Sequence, residues 1–461
     1  MMITLAASHL PSEGKCHTYD PQSTPPDFGH PMLQYFAFED GFINLNNGAY
    51  GSLPLPVASE CAKIAAEIEA CPDRFMRFTH RTRLRHSREL VAQFIGAESA
   101  DECVLVPNAT HGLNTVLRNF EWHEGDIIIG ASTTYGTIAQ TMQYLSDIPP
   151  HPVVSNFPLI FPCTHAKIID DWRKHVRSVV SSDSGSADNA KRKVVAVVDG
   201  IISTPGVRLP WIEMVKICRE EGVWSVVDGA HLIGQVDINL AEADPDFFVS
   251  RMRDFGIELP QVDVHETKLL CTLCTKAVAI PTAHEYVSPT DPRAPNFVDQ
   301  HEWTGTLDHV PYLSIPAGTL SPALFFCVMP HECSVALEFR KWIGGERKIN
   351  EYCHQLALDG GKRLAEIIGT SVMENEKGEL TANAVNVELP LAGVPATLEV
   401  DQFLKEQLLF EWHCYAAHYY HNGRWWTRCS AAVWLEVSDF EYLGKAFTEI
   451  CKLTRDKFAK E

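Results

Sequence analysis

No stretch of the 461 residues approaches the roughly 18 consecutive apolar residues of a membrane-spanning helix. The opening MMITLAASHLPSEGKC also lacks the basic region and apolar core of a secretion signal. The cytosol is therefore the expected location. There is no sustained Lys/Arg stripe, and 59 acidic residues against 39 basic ones leave a net charge of -20. A nucleic-acid backbone or an anionic membrane would be repelled, which leaves a small molecule as the expected partner. The 14 cysteines show none of the dense, regular spacing of a secreted disulfide scaffold, so most are expected reduced and buried. Cys271 and Cys274 form a C-x-x-C but lack a second pair at zinc-ribbon spacing, and no metal site is expected. No internal repeat is present.

The chain is too long for one hydrophobic core of ordinary size, and 45% hydrophobic against 21% charged residues is the balance of a soluble globular protein rather than a disordered chain. Residues 1–40, rich in Pro, Ser and His, read as an irregular arm. From Pro56 the pattern turns helical. Then CVLVP (103–107), DIIIGAS (126–132), KVVAVVDG (193–200) and WSVVDGAHLIG (224–234) are apolar, β-branched runs, each followed by a turn or a helix-compatible segment. This alternation predicts a buried, mostly parallel sheet, the mark of an α/β fold. SSDSGSADNA (181–190) reads as a solvated surface loop. From about residue 335 long helical stretches are followed by the strand-like ANAVNVELPL. The expected division is an arm (1–40), a large α/β domain (41–330) and a smaller α+β domain (331–461).

Ligands of open α/β sheets bind outside the carboxyl ends of the strands. Four such ends carry chemistry. VPNATHGL places Asn108, Ala109, Thr110 and His111 where a helix begins, and the free amides of a helix start favour a phosphate. TTYG sets Tyr135 at a loop-to-helix junction, where its ring could stack on a planar group. DGIISTPG brings Asp199, Ser203 and Thr204 to the same edge. SVVDGAH delivers Asp228 from an apolar strand, with His231 three residues on, and a buried carboxylate needs a partner. Taken singly these are equally an N-cap, a packed tyrosine and turn-formers. Taken together they suit one ligand, a phosphorylated, aromatic, cationic ring, with Asp228 opposite a protonated pyridine nitrogen as in pyridoxal phosphate.

The segments NNGAYG, NATHGLNTVLRN, TTYG, DGIISTPGVRLP, DGAHLIGQV, HEWTGTLD and RWWTRCSAAVWLEVSDFEYL resemble those of class V, fold-type I pyridoxal-phosphate enzymes over about residues 40–455. Within the class the chain is most similar to the isopenicillin-N-epimerase-like group, and there to the fungal ergothioneine-pathway hercynylcysteine sulfoxide lyases. The resemblance implies the fold-type I transferase architecture, a mostly parallel seven-stranded sheet with a smaller α+β C-terminal domain. It implies pyridoxal 5'-phosphate as cofactor, with phosphate contacts at Ala109 and Thr110 and stacking by Tyr135. Further cofactor contacts are implied for Asp199, Thr204, Asp228 and His231. Gly305 and Thr306 match a loop that reaches a neighbouring subunit's phosphate, implying a homodimer. Arg428, with Asn47, matches groups that bind an amino-acid substrate. An arginine fork suits its carboxylate. The activity implied is C–S bond cleavage in a cysteine-derived amino acid, with epimerase-like or desulfurase-like chemistry as alternatives.

One departure stands out. After DPDFFVS the family places Asn-x-His-Lys-Trp, whose lysine holds the cofactor covalently, whereas this chain reads RMRDFGIELPQVDVHETKLLC with Asp254 at the expected position. Lys268, in HETK, is the expected substitute and Lys276 the reserve. The run AGTLSPALFFCVMPHEC also interrupts the resemblance. A catalytically impaired homologue or a misassembled gene product is the remaining alternative.

Overall fold

The computed structural model describes residues 14–182, 192–251, 271–275, 297–302, 308, 310–314 and 335–459. The first strand, β1 (Ile43–Asn44), pairs in parallel with a strand far along the chain. Next come β2 (Cys103–Val106), β3 (Ile127–Ala131), β4 (Val153–Phe157), β5 (Val194–Asp199), β6 (Trp224–Asp228), β7 (Phe247–Arg251) and β8 (Cys271–Thr275). They form one seven-stranded sheet in the order β2-β8-β7-β6-β5-β3-β4. The pairs from β7 through β6, β5 and β3 to β4 are parallel; β8 alone runs against its neighbours. The expected mostly parallel sheet is present with its seven strands.

Side chains of a strand alternate between the two faces of a sheet. On β5, Val195 and Val197 join one apolar layer while Val194, Ala196 and Val198 join the other. The helices Ala109–Asn119 and Gly136–Asp147 cover the first face through Leu113, Val116, Ile138 and Met142. His165–Ser181 and Trp211–Glu220 cover the second through Ile168, Trp172, Trp211 and Met214. A sheet sandwiched in this way must be apolar on both faces, which is why its central strands read as unbroken hydrophobic runs. The edge strand β4 is different. Its Val153 is half exposed and its burial is patchy, so VVSNF carries no such signal and was not anticipated.

The C-terminal part contains β9 (Ala384–Glu388), β10 (Cys414–Tyr415), β11 (Ala417–His421) and β12 (Arg424–Ser430). β11, β12 and β9 form an antiparallel sheet, and β10 is the partner of β1. Helices Gly345–Ile368 and Val437–Phe458 pack closely here: a Cβ at Gly360 would lie 2.5 Å from the Phe440 ring. The N-terminal arm is more ordered than its composition suggests. It forms a 3-10 turn, His30–Tyr35, and docks on C-terminal elements, with the Gly29 amide donating to Val433 O at 2.8 Å and Trp342 Nε1 to Ser23 O at 2.8 Å. The C-x-x-C cysteines lie on strand β8 rather than in the turn of a zinc knuckle. Residues 183–190 of the expected surface loop fall outside the described residues. Among the described residues no helix is long and apolar enough to cross a membrane.

Candidate active site

The carboxyl ends of β5, β6 and β7 define one edge of the sheet. Asp199 and Asp228 end adjacent strands as register partners, both buried. Burial pushes the Asp228 carboxyl up to about 6, partly offset by the Ala230 amide, which donates to Oδ1 at 3.0 Å, and by the positive charge of Arg251. Burial and the neighbouring Asp228 push Asp199 well above the carboxylate range, against the Thr134 hydroxyl at 3.4 Å. Two carboxyls side by side in a dry setting hold a proton more readily than two charges. A cation in front of them would favour the ionised form again.

A cavity of about 530 Å³ opens over this edge. At one side lies the first turn of the Ala109–Asn119 helix, where Asn108 Oδ1 accepts from the His111 amide at 2.6 Å and caps the helix. Ala109 and Thr110 line the cavity there, at the positive end of the helix dipole. The helix can sit this low because residue 112 is glycine: a Cβ would come within 2.7 Å of Val249 Cγ1. Tyr135, at the start of the next helix, lines the cavity and is 46% exposed as a residue, an accessible aromatic side chain beside the acidic floor.

Opposite stands Arg428, buried on β12. It donates to Ser203 O and, at 3.1 Å, to Asn46 Oδ1. Its approach depends on Gly206, where a Cβ would lie 2.7 Å from Arg428 Cδ. Asn386 on β9 fixes that turn by accepting from the Gly206 amide and donating to the Gly206 carbonyl, both at 3.0 Å, while the Tyr419 hydroxyl donates to its Oδ1 at 2.7 Å. These contacts hold the guanidinium at the cavity wall, where its planar fork suits a carboxylate.

Ala109, Thr110, Tyr135, Asp199, Asp228, His231 and Arg428 all line this one cavity. Thr204 and Asn47 do not. The turn after β5 presents Ser203 instead of Thr204, and the short turn Asn47–Tyr50 sends Asn47 to a separate, smaller cavity with Asn383 and Trp434, leaving Asn46 to meet Arg428. Lys268, Lys276, Gly305 and Thr306 lie outside the described residues. Sequence reasoning missed Asn46, Thr134, Asn386 and above all Arg251. The last was legible as a basic residue closing an unbroken apolar strand, which must find polar partners when buried.

The residues fit a phosphorylated cationic ring: a helix start for its anion, an exposed aromatic face, and buried carboxyls whose ionised form lacks a full counter-charge. Comparison with known proteins agrees. Residues 43–146 match the aminotransferase class-V family. An L-cysteine desulfhydrase-like protein, lolT1 of Epichloe uncinata, is 30% identical over 92% of this chain and 96% of its own length. Hercynylcysteine sulfoxide lyase of Schizosaccharomyces pombe is 27% identical over 92% of this chain and 98% of its own. In fold the chain is similar to a C-DES mutant with glycine covalently linked to its PLP cofactor, with a TM-score of 0.66 over 90% of this chain and 99% of that one at 14% identity.

Proposed function

The chain belongs to the class V aminotransferase family of pyridoxal-phosphate enzymes, in the company of cysteine desulfhydrase-like C–S lyases, and from that premise we propose that it cleaves the C–S bond of a cysteine-derived amino acid bearing a large sulfur substituent, of the hercynylcysteine sulfoxide kind. The observation that carries the reading is the placement of buried Asp228 and buried Arg428 on the same cavity, wide enough at about 530 Å³ for cofactor and amino acid together.

When bound, pyridoxal phosphate supplies an electron sink for negative charge developing at the amino acid's α-carbon. Ala109 and Thr110 at the helix start would hold its phosphate, Tyr135 would offer its aromatic face to the ring, and the Asp228 carboxylate would balance a positive ring nitrogen. Asp199 and His231 contribute polar contacts. Arg428 grips the substrate carboxylate through its planar fork and sets which substituent of the α-carbon faces the base. Lys268, outside the described residues, is proposed as the covalent anchor and as the base that takes the α-proton on its Nζ. It stands three residues before Cys271, whose register partner is Arg251 of the cavity lining. Among the described residues no cysteine lines the cavity, so the persulfide-forming thiol of a desulfurase has no candidate there.

The proposed assembly is a homodimer and the proposed location the cytosol. The test is release of pyruvate and a sulfur product from S-substituted cysteines by the cofactor-loaded chain. Arg428→Lys keeps the charge but loses the fork and should lower kcat/KM by about 10²-fold or more, mainly for substrates with a free carboxylate. Racemisation without elimination would redirect the reading to an epimerase. Absence of borohydride-trapped cofactor on any lysine peptide would point to an impaired homologue.

A further inference from the structure

Arg251 ends β7 at the cavity edge, buried. Its guanidinium spans two segments that are remote in sequence. Nε donates to Ala230 O at 3.0 Å, Nη1 donates to Ala49 O at 3.1 Å, and Nη2 donates to Gly48 O. The same Nη2 lies 3.2 Å from His231 Nδ1. An arginine has no lone pair to offer and stays protonated, so in this contact the imidazole nitrogen must accept. The ring proton then belongs on Nε2. Protonating Nδ1 as well would set a second cation's N–H against the guanidinium.

We propose that Arg251 is a positioning residue that locks His231 as the neutral imidazole protonated on Nε2, while tying the Gly48–Ala49 loop to the turn after β6. The turn itself is already rigid. Ser250 Oγ donates to Gly229 O, the Gly229 amide donates to Val249 O at 2.7 Å, and a Cβ at Gly229 would strike the Phe248 ring at 2.6 Å. The ring of His231 therefore hangs from a fixed backbone, and with Nδ1 accepting from Arg251 its proton stays on Nε2, which acts as a donor rather than a base. The loop that Arg251 holds also carries Asn46, the partner of Arg428. One side chain thus links the acidic floor of the cavity to the arginine on its far wall.

The test needs no turnover, and so it stands or falls apart from the lyase reading. Nitrogen-15 spectra of the histidine-labelled full chain at neutral pH, with the His231 signals identified by their loss in His231→Gln, report the tautomer. We expect a bare, pyridine-type Nδ1 and a protonated Nε2. Protonated Nδ1, whether as the other tautomer or as imidazolium, overturns the proposal. In Arg251→Met, which offers no donor, the Nδ1 signal should shift towards a mixture of forms. An unchanged signal in that folded variant would show that something else sets the tautomer, and would overturn it as well. Should Arg251→Met not fold, the parent spectrum decides alone.

Discussion

Asp228 and Asp199 end neighbouring strands, and the cost of keeping charge there gives the free chain a pH signature. The Asp228 pKa is raised from the ordinary 3.8 to about 6 because burial outweighs the Ala230 amide and Arg251. Between those values the folded state keeps a proton that the unfolded chain has released. Stability from this group therefore falls as pH rises through that window and is flat above it. Asp228→Asn removes the effect. In urea unfolding of the cofactor-free protein, the variant's advantage over the parent should grow from pH 4 to pH 7, reaching about 1–3 kcal/mol. A constant or shrinking difference would contradict the assignment. The same variant should lose activity by orders of magnitude once loaded, since an amide cannot supply the counter-charge. Asp228, His231 and Arg428 were legible in the sequence because each falls beside a recognisable strand end or motif. Arg251 was not, because its partners Gly48, Ala49 and Ala230 are made by the fold.

At the scale of elements, the site depends on how closely the Ala109–Asn119 helix approaches the sheet. Gly112 permits contact with Val249 and Val106, and an added methyl would meet them at 2.7 and 3.3 Å. Gly112→Ala should lift the helix start, destabilise the chain by about 1–3 kcal/mol, and weaken cofactor retention. Equilibrium dialysis of the cofactor, read beside the substrate KM of variant and parent, separates this from general damage: retention should suffer first. Loss of stability with unchanged cofactor affinity would show that the helix start does not hold the phosphate. Strands β2, β3, β5 and β6 were legible because burial on both faces forces continuous apolar runs. Strand β4, largely uncovered along its length, carries no such run, and only its pairing with β3 reveals it.

For the whole molecule, we propose the division at about residue 330 as a boundary of chain, though contacts cross it repeatedly. β1 pairs with β10, the arm's His30 bonds Asp439 at 3.0 Å, and Asn386 grips the turn at Gly206. A fragment of residues 335–461 expressed alone should therefore lack a dispersed amide spectrum, and adding a separate 1–334 fragment should restore it. A well-dispersed spectrum for the isolated fragment would show that the smaller unit folds without the arm.

The sequence by itself determined the α/β class, the parallel sheet and most of the strand-end residues that line the cavity, because burial and helix starts leave local patterns in residue type. It also determined that the chain is acidic, without a spanning helix among its described residues, and suited to a small molecule. Only the tertiary structure decided that Arg428, some 200 residues beyond Asp228, faces the same cavity. It alone exchanged Asn47 for Asn46, set Ser203 where Thr204 was expected, and gave Arg251 its partners. Such choices depend on which way a turn rotates and which distant backbone carbonyl comes within hydrogen-bond reach, and those are properties of the closed chain rather than of any one segment of it.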